Sequence, residues 1–164
     1  MRLMIGTALV LFATGAAAAS DYYDAAYVSK ETVCERAGEK PLVDILFEED
    51  AWLVLPRQTI MAAEIGCRLN NVQEIDSAFG DVPEILATAR CHGFEIDFLD
   101  QIVIEADSFG INQSFGDDGV EHQIGEKVEV LSMRADTGPE DYENYAGVYT
   151  RCDALTEEAL TWGE

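Results

Sequence analysis

Four cysteines, Cys34, Cys67, Cys91 and Cys152, constrain this chain more than any other feature, because they follow a segment with the layout of a secretory signal. An even set of cysteines in an exported chain points to two disulfides. Each such bridge stabilises a small domain by about 2 to 4 kcal/mol, mainly by restricting the unfolded chain. No two of the four stand in a Cys-x-x-Cys spacing, which argues against a zinc ribbon and against a thioredoxin-type redox pair. All four are therefore expected to be structural.

The leader begins with Arg2, continues with an apolar run over 3–13 and ends in the small residues Ala16 to Ala19. That order is what signal peptidase reads, with Ala17 and Ala19 in the small-residue positions. A membrane anchor needs roughly 20 strongly apolar residues, and this run is broken by Gly6, Thr7, Thr14 and Gly15. No cysteine near the cleavage site offers a lipid anchor, and no later stretch is apolar for long enough to span a bilayer. The expectation is a signal peptide over 1–19 and a single secreted β-rich domain over 20–164, in the periplasm or outside the cell.

Charge narrows the partners. The chain carries 32 acidic against 10 basic residues, a net charge of −22. Nucleic acid and anionic lipid are both held through Lys and Arg, so neither suits this surface. The acidity fits solubility in a salty or crowded compartment, or a basic protein partner or cations.

Hydrophobic patterning then gives the fold class. Segment 20–36 reads either as a short helix capped by Ser20 or Asp21, with Tyr23, Ala26 and Tyr27 on one face, or as an extended lead-in. Segment 42–55 fits a hairpin around Glu48, Glu49 and Asp50, or a helix with Leu42, Ile45, Leu46 and Glu49 on one face. Trp52 to Leu55 favours a strand stopped by Pro56. Period-two alternation sets Ile65, Cys67 and Leu69 on one face, before a turn or bulge at Asn70 and Asn71. It does the same for Ile85, Ala87, Ala89 and Cys91. After Gly93 a longer apolar strand returns, in which Phe94, Ile96 and Phe98 form one set and Ile102 and Ile104 another. Further strands are expected over 109–115, 127–134 and 145–152, and a helical or frayed tail over 153–164. Short strands with turn signals between them predict a mainly β fold, a small antiparallel meander, sandwich or barrel with two disulfides.

Candidate chemistry is sparse. The two histidines, His92 and His122, lack a nucleophile and an orienting acid at any recognisable spacing. His122 with Glu121, Asp117 and Asp118 offers donors for a divalent ion, yet the run departs from the calcium-loop pattern. Glu64, Glu95, Asp97 and Glu105 offer carboxylates for glycoside cleavage without any pair being singled out. Trp52, Phe94, Phe98, Phe109 and Phe115 suit core packing or the lining of a ligand-holding barrel. No phosphate-cradling glycine loop is present.

Glu64-x-x-Cys67-x-Leu69, Ala89-x-Cys91 and Tyr149-x-Arg151-Cys152, behind a leader of this kind, resemble small exported four-cysteine bacterial proteins of uncharacterised function. The resemblance rests on cysteine context between Cys34 and Cys152, implies a compact periplasmic domain and carries no activity with it. Cys91 and Cys152 share a strand-end setting, which favours the pairings Cys91–Cys152 and Cys34–Cys67 among those that four cysteines allow. The periplasmic lysozyme inhibitors are a second comparison, but their Ser-Gly-x-x-Tyr loop is matched only by Ala146-Gly147-Val148-Tyr149, without the serine and one residue short. What remains of that likeness is an acidic domain steering towards a basic enzyme.

The reading is a non-enzymatic binding or interaction module, with no catalytic residue and no cofactor. A small-ligand or divalent-cation binder is the alternative, using the barrel interior or the acidic tip at Asp117 to His122. A carboxylate-pair hydrolase is third.

Overall fold

A computed structural model describes residues 22–77, 82–93, 96–106, 126–134 and 145–155. The fold is mainly β, as the alternation predicts. Its strands are β1 (Tyr27–Val28), β2 (Leu53–Leu55), β3 (Thr59–Met61), β4 (Ile65–Ile75), β5 (Glu84–Gly93), β6 (Ile96–Ala106), β7 (Lys127–Ser132) and β8 (Gly147–Arg151). Each pairs antiparallel with its neighbour in sequence, and β8 pairs back onto β1, so the meander closes into a barrel. The expected strand over 109–115, the acidic tip at Asp117 to His122 and most of the tail lie outside the described residues.

Alternation assigns the faces. On β5, Ile85, Ala87, Ala89 and Cys91 are all buried and face the interior, while Arg90 and His92 between and beyond them are exposed. Small alanines here stand opposite larger neighbours, Ile102 across from Ala87 and Leu69 across from Ala89. Eight strands leave an interior about wide enough for side chains to fill or for one small ligand. The interior is largely apolar, and the outer wall carries Arg68, Arg90, Asp97, Glu105 and Glu129 together with the exposed Leu99, Leu131 and Val148.

On β4 the register shifts between Asn70 and Gln73, with Asn71 in the left-handed region at φ 52°. The expected irregularity at Asn70 and Asn71 is thus a bulge, and asparagine is among the few non-glycine residues that take this conformation readily.

Between β1 and β2 lie α1 (Glu31–Glu35) and α2 (Leu42–Glu49). Of the two readings of 42–55, the helical one holds up to Glu49. Ile45 and Leu46 are buried, and Asp50 ends the helix in the left-handed conformation. The helices cover the outer face of β1 to β3, where Val28, Leu53 and Met61 point away from the interior and join Val33, Ile45 and Leu46 in a second core. Arg36 on the α1 side holds Glu48 at 2.7 Å and also pairs with Glu49, fastening the two helices.

The disulfides are Cys34–Cys152 and Cys67–Cys91. This corrects the expected pairings, Cys34–Cys67 and Cys91–Cys152. Cys67 and Cys91 stand directly opposite each other on the inner faces of β4 and β5. Cys152 follows β8, and closure lays that end beside the start of β1, where the Cys152 N–H donates to the Ala26 carbonyl at 2.8 Å. A shared strand-end setting says nothing about adjacency once the sheet has rolled up.

The two ends of the barrel differ. At one end the segment before β1 folds inward: Tyr23 is 1% exposed and its hydroxyl donates to the Pro83 carbonyl at 2.5 Å. Arg57 clamps this plug by pairing with Asp24 and with Glu74 on β4. Of 20–36, the described residues 22–26 form bends and turns leading into β1, with neither a helix nor an extended run, and a separate short helix, α1, lies beyond it.

Across the outer wall, Glu105 on β6 sits directly opposite Glu129 on β7, with Glu84 of β5 on its other side. Burial, and then the charges of Glu84 and Glu129, push the Glu105 carboxyl above its usual range. A carboxyl raised in the folded state destabilises the fold where it is ionised, and this cost disappears below the unfolded-state value. Glu105→Gln should therefore raise stability at pH 7 by about 0.5 kcal/mol, with the gain vanishing below about pH 4, as read by urea melts at both pH values.

Burial also orders the two bridges. Cys67 and Cys91 are both 0% exposed, whereas Cys34 is partly accessible. Under native conditions dithiothreitol should open Cys34–Cys152 first, and Cys67–Cys91 only with global unfolding. Alkylation and peptide mass mapping check the order, and simultaneous loss of both bridges would contradict it.

Candidate functional site

The other end, opposite the Tyr23 plug, is where β3 joins β4, β5 joins β6 and β7 joins β8, and we call it the mouth. Strand β6 carries the feature that sequence alternation concealed. By alternation Phe98 and Ile102 read as members of separate apolar sets, and Asp100 stands between them. Residues 98, 100, 102 and 104 share one parity, and β6 runs unbroken through them. Asp100 therefore faces the interior and is 5% exposed. It is the one buried charged residue among the described residues.

An ionised carboxylate taken out of water is costly unless it is hydrogen-bonded. Two hydroxyls meet Asp100. Ser132, at the end of β7, donates from Oγ to Asp100 Oδ2 at 2.5 Å, and the Tyr145 hydroxyl donates to the same oxygen. The Ser132 oxygen in turn accepts the Arg134 backbone N–H at 3.2 Å. Tyr149 donates its hydroxyl to the Tyr145 carbonyl at 2.5 Å, fixing the chain just before β8. Burial, and then the bond to Asp100, push the Tyr145 hydroxyl well above the usual tyrosine range, so it remains a donor at neutral pH.

Aromatic rings pack against Tyr145, the donor to this carboxylate. Trp52, just before β2, lies 5.9 Å from Tyr145 between ring centroids. Phe98 lies 6.5 Å from Tyr145 with the planes within 13° of parallel. The Arg134 guanidinium stands over the Phe98 ring, 4.4 Å from its centroid, a cation–π arrangement. Cys67–Cys91 holds the adjoining wall, since Cys91 pairs directly with Phe98.

The residues singled out from sequence fare unevenly. Trp52 and Phe98 come together at the mouth, whereas Phe94, Phe109, Phe115, Glu95, His122, Glu121, Asp117 and Asp118 lie outside the described residues. His92 is exposed on the outer wall, with Nδ1 3.5 Å from Asp97. Glu64 is exposed between β3 and β4, and Asp97 and Glu105 lie on the outer face of β6. Eight residues of strand put Asp97 and Glu105 about 27 Å apart, beyond the separation of any glycosidase pair. No cluster of metal-binding side chains occurs among the described residues. Asp100, Ser132, Arg134 and Tyr145 were not legible as a group. The available signal was the even spacing from Phe98 to Ile104, which puts an aspartate on an otherwise apolar face.

Tyr145→Phe leaves Asp100 with one donor in a buried setting and should cost about 1 to 3 kcal/mol in a urea melt at pH 7. The raised phenols Tyr145, Tyr149 and Tyr23, the last pushed up by burial to about 12, stabilise the fold while neutral. That contribution is complete below the unfolded value of about 10 and is lost as pH rises towards the folded values. Stability should therefore fall above about pH 10, less steeply in Tyr145→Phe.

In comparisons with known proteins, no family model, no curated protein and no solved structure matches this chain.

Proposed function

We propose that the chain is a non-enzymatic binding module of an oxidising compartment, exported to the periplasm or beyond, and that its contact site is the mouth of the barrel. Two disulfides support the compartment, since such bridges persist where thiols are oxidised. The observation that carries the site is the asymmetry of the barrel. One end is sealed by Tyr23 and the Arg57 clamp, and the other gathers Trp52, Phe98 and Tyr145 around the buried Asp100. Aromatic side chains converging on a few polar groups are the usual lining of a small-ligand site. Catalysis finds less support, because Asp100 has a serine and a tyrosine as hydrogen-bond partners and, among the described residues, no imidazole beside it. The acidic surface suits a basic protein or a cationic small ligand, and disfavours nucleic acid.

Thermal shift of the purified protein across panels of amines, amino acids, sugars and fatty acids tests this reading. At least one class should raise the melting temperature of the wild type and fail to do so in Phe98→Ala. No shift with any class would count against a ligand site at the mouth.

A further inference from the structure

We propose that the mouth takes a positively charged group, a guanidinium or a primary ammonium, seated on Asp100 against the Phe98 and Tyr145 rings. The inference rests on the reading of the mouth as a binding site and names the chemistry of what enters it.

Charge balance at Asp100 is the starting point. Among the described residues its hydrogen bonds come from neutral hydroxyls, and both land on Oδ2. Among the described residues, no Lys, Arg or His approaches it within the 4.0 Å of an ion pair. The carboxylate is thus oriented but not neutralised, and a buried charge gains most from a partner of opposite sign. An anionic ligand would be repelled there. A purely apolar one would remove the remaining solvent from Asp100 and supply nothing in return.

The rings supply the second half of the argument. Aromatic faces attract cations, guanidinium among them. The Phe98 face already holds one, the side chain of Arg134, which is exposed and belongs to no ion pair among the described residues. Arg134 therefore occupies the ring face that a ligand cation would take, and entry displaces it. Net charge adds the third element, since a chain at −22 raises the local concentration of cations around it.

Such a group can come from a free small amine or from a Lys or Arg side chain on a basic protein, and the two are separable by titration. The full chain in a Trp162→Phe background leaves Trp52 as the reporter of the mouth. Its emission is followed against agmatine and n-butylamine for the free amines. A capped peptide carrying an arginine represents the protein source, and n-butanol and butyrate serve as neutral and anionic controls, all at about 0.15 M salt, where exposed charges are largely screened. Saturable binding of the cations, weakened at least about tenfold by Asp100→Asn and strengthened by Arg134→Ala, is the expected result. Response to the amines alone assigns a small-molecule source, and a tighter response to the peptide assigns a protein source. Absence of cation binding in both the wild type and Arg134→Ala overturns the proposal, a test that stands even if Asp100→Asn does not fold. Cation binding that Asp100→Asn leaves unchanged also overturns it, by assigning the effect to the acidic surface. Saturable binding of butanol or butyrate without the cations overturns the charge assignment while leaving the mouth as a binding site.

Discussion

Closure of the barrel through Tyr27 and Val28 is the contact on which the rest depends. These two residues form the whole of β1, and they bridge β8 on one side and β2 on the other. Without them β8 and β2 would be open edges, with unpaired backbone groups that invite aggregation. The pair also joins the two cores. Tyr27 points into the interior and Val28 points outward under the helices, and both are almost wholly buried. Cys34–Cys152 crosses the same seam and spans 118 residues of sequence, so the longest covalent loop secures the shortest strand.

Closure gives the molecule an inside, and the sequence uses the two ends of that inside differently. Tyrosine serves at both. Tyr23 seals one end, where its ring fills space and its hydroxyl finds a carbonyl. Tyr145 at the other end turns its hydroxyl onto a carboxylate. An aspartate in a barrel core is expensive, and a leucine at the same place would pack without that cost. The buried Asp100, bonded to Tyr145 and on the same strand face as Phe98, is the observation on which the proposed binding site rests. It conflicts with its apolar surroundings, and such conflicts are where local rules of sequence are expected to break.

Much of the fold was readable because its long strands are half-buried and carry period two without interruption. Ile85 to Cys91 and Ile65 to Leu69 show their inward faces directly. What escaped reading has physical causes. β1 is two residues long, too short for any periodicity. α1 spans five residues and draws its stability from Val33 and the ion pairs of Arg36, which are tertiary contacts. The disulfide pairing depends on which strands become neighbours when the sheet rolls up, and that information is absent from the spacing of the cysteines. The mouth was half legible. Trp52 and Phe98 suggested a lined barrel, but Asp100 was not singled out, although it is an inward residue of the strand expected after Gly93.

Hydrogen exchange resolved by residue tests closure most directly, because every element of the account, the plug, the mouth and the seam disulfide, presupposes it. The seam amides, Cys152 bonded to Ala26 and those shared between Tyr27–Val28 and Thr150–Arg151, should exchange only with the global opening that also exposes β5 and β6. A seam that exchanges freely while β5 and β6 stay protected would mean an open sheet with two edges, and no enclosed mouth around Asp100.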